Sequence, residues 1–234
     1  MGLGLEVGLL AFLKVHDPEG FDIYQKQFEY LNLILEEQGL PIHNEPTTLK
    51  NTQKTWSCDM WGYTGLHNLR RIAAHLVFNN QLPGPIAENI RASQDNMLKK
   101  YYDSLSQQSS TSKWKQLFSK PIQLNLQFQH LLIHSDAEGF YLPVDFEDVI
   151  QNKAIFGGAV GSSYRLLNEC NFLANKLELP LDMDHEAEAL WDAADTPESG
   201  QELWQRYGVE SFTCLRLIRA SEVSIKLGAA LVFV

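Results

Sequence analysis

Leu124-Asn125-Leu126-Gln127-Phe128-Gln129-His130-Leu131-Leu132-Ile133-His134-Ser135-Asp136-Ala137-Glu138-Gly139-Phe140-Tyr141-Leu142-Pro143-Val144 is the stretch whose reading decides the fold. Its first half alternates. Leu124, Leu126, Phe128, His130, Leu132 and His134 fall on one side of an extended chain, with Asn125, Gln127 and Gln129 starting the other. That period of two predicts a strand. Asp136-Ala137-Glu138-Gly139 is a turn, and residues 140–144 return as a second strand that Pro143 ends or confines to an edge. The expected unit is a 124–135/140–144 hairpin.

Outward from the hairpin, the chain offers two more strands and several helices. Residues 3–15 are apolar and interrupted by glycine, which predicts a buried N-terminal strand; residues 229–234 predict a C-terminal one. Phe21, Tyr24, Phe28, Leu31 and Leu35 share one face of a helix that Gly39 stops. Leu66, Leu69, Ala73 and Leu76 mark a second helix, residues 86–105 a third, and Leu166, Cys170, Leu173 and Leu177 a fourth. Residues 184–194 form an acidic helix, and 209–227 a long one ended by Gly228. Two apolar terminal strands need sheet partners, so they should lie beside each other or beside the hairpin. The expectation is a single α+β domain over residues 1–234. Its sheet is small, mixed or antiparallel, with five to six helices covering it and a flexible loop at 106–113.

The chain has 234 residues and a formal net charge of −10, with 29 Asp and Glu against 19 Lys and Arg. That balance argues against direct binding to nucleic acid or an anionic membrane, both of which need clustered cations. It suits a basic protein partner. No run approaches the 18 apolar residues of a membrane span, and the three scattered cysteines fit a reducing compartment, so the expected location is cytoplasmic. Cys170 and Cys214 sit at helical spacing among apolar residues and read as core.

Three constellations could carry chemistry. In the turn, His134, Asp136 and Glu138 could serve as a base with its orienting carboxylate. His130 would lie about 13 Å from His134 along an extended strand, too far to share one ion, and no metal or cofactor is expected. In the loop, Gly158, Gly161, Ser162, Ser163 and Arg165 precede a helix and could cradle an anion, with Tyr141 nearby. The run matches neither phosphate-loop pattern, and it is not a nucleophile elbow. The third is an aromatic and arginine surface of Trp56, Trp61, Arg70 and Arg71. The acidic run from Asp182 to Asp195 lacks the glycine and alternation of a calcium loop and reads as a solvated helix face.

His134-Ser135-Asp136-Ala137-Glu138-Gly139-Phe140-Tyr141-Leu142-Pro143-Val144-Asp145-Phe146 resembles a family of uncharacterised bacterial proteins that carry H-S-D-x-E-G-[YF]-Y-x-P-V-D-F. The resemblance extends to the N-terminal strand, the Asp17-Pro18-Glu19-Gly20 turn, the Gly157–Ser163 run and the final apolar strand, with residues 86–120 departing from it. It implies no activity. Two functional readings follow. The first is a non-enzymatic interaction protein, in its sharper form an immunity-type protein that neutralises a basic toxin. The alternative is a small-molecule or anion binder, or a hydrolase, with its site between the 134–141 turn and the 157–165 loop.

Overall fold

A computed structural model describes residues 3–50, 52–86, 91–110 and 127–234. The elements run β1 Gly4–Val7, α1 Leu9–His16, α2 Pro18–Glu37, β2 Trp56–Asp59, α3 Gly62–Asn79, α4 Asn96–Ser110, α5 Gln129–Leu132, β3 Gly139–Leu142, β4 Ile150–Gln151, β5 Ala159–Ser162, α6 Ser163–Leu177, α7 Glu188–Asp195, α8 Leu203–Arg206, α9 Gly208–Leu227 and β6 Leu231–Phe233. The strands form one sheet in the order β2-β1-β6-β3-β5-β4, antiparallel throughout except for the parallel β3–β5 pair. The two terminal strands are neighbours, with Leu5 opposite Phe233, and β3 flanks β6, with Tyr141 opposite Leu231. The chain is a single α+β domain with a mixed sheet.

Alternation along the strands feeds two cores. Phe140, Leu142, Val160 and Val232 face α1 and α2, where they meet Leu10, Phe28, Leu31 and Leu35. Leu5, Val7, Tyr141, Leu231 and Phe233 face the opposite way, into a larger core with α3, α6 and α9. Helix α9 runs through that layer and is buried on almost every side, from Phe212 through Leu215 and Ile218 to Ser224. Cys214 Sγ–H donates to the Cys170 carbonyl at 3.3 Å, so both thiols belong to this core. No helix among the described residues is long and apolar enough to cross a membrane.

Four local expectations need correction. The N-terminal strand stops at Val7. Gly8 adopts a positive φ of 84°, and Leu9, Leu10 and Leu13 then bury one side of α1. Residues 56–59, for which no strand is expected, form edge strand β2. Residues 159–162, expected to belong to the loop before the helix, form buried strand β5, and Ser162 caps α6.

The fourth correction concerns the first strand of the hairpin. Residues 124–126 lie outside the described residues. Beyond them Phe128 takes a φ of 65°, and Gln129–Leu132 form a single helical turn. Two distant side chains take over the backbone there. Glu169 of α6 accepts the N–H groups of His130 and Leu131 at 3.1 and 2.8 Å. Arg70 of α3 donates to the carbonyls of Leu131, His134 and Ser135 at 2.7, 2.7 and 3.1 Å. Groups that a ladder would have used are thereby satisfied, so tertiary bonding overrides the alternation. Of the expected loop at 106–113, residues 106–110 continue α4, and 111–113 lie outside the described residues.

Candidate functional site

The turn at 134–138 is organised from below by Arg70. This guanidinium is 1% exposed. Besides its three carbonyls it donates to Asp136, whose other carboxylate oxygen lies 2.8 Å from His67 Nε2. Asp136 is therefore tied to α3, not to His134. The His134 ring is buried, stacks on Tyr141 at 4.0 Å and 17°, and lies with Nε2 3.1 Å from the Phe140 carbonyl. Gly139 is needed beneath it: its φ is 125°, and a Cβ there would come within 2.7 Å of the imidazole. Glu138 is exposed. A cavity of about 410 Å³ adjoins this network, lined by His67, Arg70, Tyr102, His134 and Asp136, each bonded to another protein group.

Burial pushes the His134 imidazole down to about 3 and the His130 imidazole down to about 4. Both rings are neutral in the folded chain at neutral pH, while in the unfolded chain they titrate near 6.5. As pH falls from about 6.5 toward 4, the unfolded chain binds protons that the folded chain refuses. Their contribution to stability is thus full above about 6.5 and declines below it, by about 1.4 kcal/mol per pH unit for each ring. His134→Gln should flatten the acid limb of the unfolding free energy against pH by about one proton. Parallel limbs for variant and wild type would contradict a neutral buried ring.

The loop candidates are drawn into the same framework. Ser162 N–H donates to His130 Nδ1 at 3.0 Å, so His130, not His134, meets the serine loop. Ser162 Oγ accepts the Arg165 N–H, and Ser163 Oγ bonds Ser224 Oγ at 2.8 Å. Arg165 Nε reaches Asp145 at 2.6 Å. Gly161 packs under Tyr141, where a Cβ would come within 2.3 Å of the ring. Tyr141 itself is buried, and its hydroxyl donates to the His130 carbonyl at 2.9 Å. Gly158 has a φ of 68°. Among the described residues no three His, Cys, Asp or Glu side chains gather to hold a metal ion.

The aromatic and arginine candidates separate. Arg70 and Arg71 turn inward, Arg71 to Asp95 at 3.1 Å and the Gly84 carbonyl at 2.9 Å. Trp56 and Trp61 do reach a common surface, and it is the acidic one. Trp56 lies 5.4 Å from His185, and Trp61 lies 6.0 Å from Trp191 of α7.

The acidic segment beside these rings holds most of the chain's net charge. Between Leu177 and Gln205 there are nine carboxylates and no lysine or arginine. Elsewhere 20 carboxylates face 19 cations, so nearly the whole charge excess of the chain lies in this one segment. All nine are exposed: Glu178, Asp182, Asp184, Glu186, Glu188, Asp192, Asp195, Glu198 and Glu202. Helix α7 buries Leu190, Ala193 and Ala194 against α9 and turns Glu188, Asp192 and Asp195 outward. At i, i+4 and i+7 these carboxylates span about 10.5 Å of helix axis, roughly one charge per 5 Å. One strand of B-DNA carries about one per 3.4 Å.

Solvation alone does not explain this placement. Glu188 and Asp192 are like charges at i, i+4, which costs a helix about 0.2–0.5 kcal/mol. Asp192 and Asp195 stand in the last turn, where the helix dipole favours cations, and no basic residue is there. Among the described residues no Lys or Arg pairs with Glu178, Asp182, Glu188, Asp192, Asp195 or Glu198. The preceding loop is held from beneath by α9. Arg216 donates to the His185 carbonyl at 3.1 Å and to Glu186 at 2.7 Å, and Arg219 donates to the carbonyls of Leu181 and Met183. The signal available to sequence reasoning was the charge of this window against that of the rest.

Searches of curated proteins and of solved structures find no match to the chain. A family model does match, over residues 1–233, and its description speaks of DNA mimicry. The immunity-type reading with its basic toxin partner is overturned by that match, and the small-molecule binder or hydrolase alternative is displaced with it. The chain belongs to the family described as "Putative DNA-mimic protein".

Proposed function

We propose that the chain occupies the DNA site of a DNA-binding protein, presenting the carboxylates of residues 178–202 where the partner expects phosphates. One observation carries the reading: almost all of the net charge is concentrated in one segment whose carboxylates are all exposed, and part of it stands where helix stability would place cations. A DNA site is a surface of Lys and Arg spaced for phosphates, and carboxylates held by a folded scaffold complement it without being nucleic acid. A cytoplasmic location in a bacterial cell suits the reading.

The test uses the full chain with Glu188→Gln, Asp192→Asn, Asp195→Asn and Glu198→Gln combined. Proteins that bind DNA-cellulose are passed over the immobilised wild type and the variant, and bound proteins are challenged with duplex DNA. Wild type should retain a DNA-binding protein that excess duplex releases. At about 0.5–1 kcal/mol per charge, the variant should bind it roughly 30- to 1,000-fold more weakly. The same substitutions should leave the melting temperature unchanged or raised, because they relieve like-charge and dipole repulsion. Equal retention by both proteins, or retention that neither duplex nor single-stranded DNA releases, would overturn the proposal.

A further inference from the structure

The acidic face is not purely acidic. Trp191 stands on α7 between Glu188 and Asp192 and is 36% exposed. It is backed by Phe212 at 4.6 Å and by the Arg216 guanidinium at 4.9 Å. Trp61 lies 6.0 Å from it, Tyr63 in the following turn is 41% exposed, and Trp56 borders the His185 loop. Three aromatic residues, Trp191, Trp61 and Trp56, thus adjoin the carboxylates. Contacts to a duplex backbone rest chiefly on charge and hydrogen bonds to phosphate, not on stacking. Surfaces that take up single strands combine a basic groove with aromatic and arginine platforms on which successive bases stack. Rings set among the charges are what a stand-in for a single strand would add to a stand-in for a duplex.

We infer that the partner is a base-stacking, single-strand-binding surface, with Trp191 and its aromatic neighbours standing where bases would lie. Trp191 falls three residues after Glu188 and one before Asp192, so ring and carboxylates interleave along the helix as bases and phosphates do along a strand. The inference rests on the DNA-mimic reading and narrows it. It also accounts for a large ring left partly in water on a helix that otherwise exposes Glu188, Ala189, Asp192 and Asp195, since exposed aromatic anchors concentrate binding energy.

The experiment separates the two levels. Proteins eluted from DNA-cellulose are bound to the immobilised full chain and then challenged with either an oligothymidylate or a duplex of equal length. The oligothymidylate is expected to release the retained protein at a concentration about tenfold lower than the duplex. Release by the duplex alone would overturn this inference and leave DNA mimicry standing. Release by neither, or no retention, would remove both. Because Trp191→Ala could loosen α7, Trp191→Leu, which keeps an apolar side chain against Phe212 but removes the ring, is the second variant. It should weaken retention in high-salt washes roughly 5- to 150-fold, the range for one stacked base, with an unchanged melting curve. Unweakened binding by both Trp191→Leu and Trp191→Ala would overturn the inference whatever the competitors do.

Discussion

Gly208→Ala is expected to destabilise the protein by about 3 kcal/mol and to displace the acidic helix. Helix propensity alone predicts the opposite sign, because alanine is favoured over glycine by about 1 kcal/mol inside a helix. The structure decides against propensity. A Cβ on Gly208 would sit 1.7 Å from the Ala193 carbonyl oxygen, 2.2 Å from its carbon and 2.7 Å from the Ala194 nitrogen. All three atoms are backbone of the last turn of α7, so no rotamer change relieves the overlap. Either α7 or the first turn of α9 must move, and Leu190, Ala193 and Ala194 lose part of their burial when it does. For a chain of this length, 3 kcal/mol corresponds to a fall in melting temperature of about 6–12 °C. Amide exchange over residues 188–195 should accelerate more than exchange over α6, and capture of the DNA-binding partner should weaken because the carboxylate line shifts. A melting temperature equal to or above that of wild type would show that the helices can separate at no cost.

The parts of this fold that were legible in the sequence are those set by local periodicity and local stop signals. Phe28, Leu31 and Leu35 do bury one face of α2, Gly39 and Gly228 do take positive φ after their helices, and the terminal strands do pair. What failed was decided at a distance. The alternation at 128–134 is real, but Arg70 and Glu169 lie 61 and 38 residues away from Leu131, and their bonds to its backbone hold a helical turn. No local pattern announces that two charged side chains will be spent that way. The candidate site shows the same division. The charge of residues 177–205 can be counted from the sequence, and Trp56 and Trp61 could be flagged as a surface. Their meeting with His185 and Trp191 requires β2 and α3 to lie against α7 and α9, which is tertiary. Arg70 and Arg71 read as surface cations because arginine usually is one; burial with fitted acceptors reverses that.

Arg216→Met is expected to weaken partner binding about ten- to 100-fold, although it removes a positive charge from beneath an acidic surface. Charge counting predicts the reverse: one cation fewer makes the face more negative and the attraction for a DNA site stronger. Geometry argues otherwise. Arg216 is 1% exposed in the middle of α9, with its guanidinium 4.1 Å from the centre of Phe212 and 4.9 Å from the centre of Trp191. It donates to the Asp59 carbonyl at the end of β2, to the His185 carbonyl and to Glu186. One side chain therefore joins the edge strand, the 181–187 loop and the ring on α7. Methionine fills much of the volume but provides none of those donors. Two carbonyls lose a charged partner, Glu186 swings free, and the loop carrying Asp182 and Asp184 is left to Arg219. The stability cost should be about 3 kcal/mol, two charge-assisted bonds at roughly 1.5 each. Arg216→Lys keeps the charge yet cannot span three acceptors in a planar fork, so it should weaken binding as well. The pair of variants separates position from charge: a role in electrostatics alone requires tighter capture by Arg216→Met and unchanged capture by Arg216→Lys, whereas a positioning role requires both to lose affinity while remaining folded below their melting temperatures.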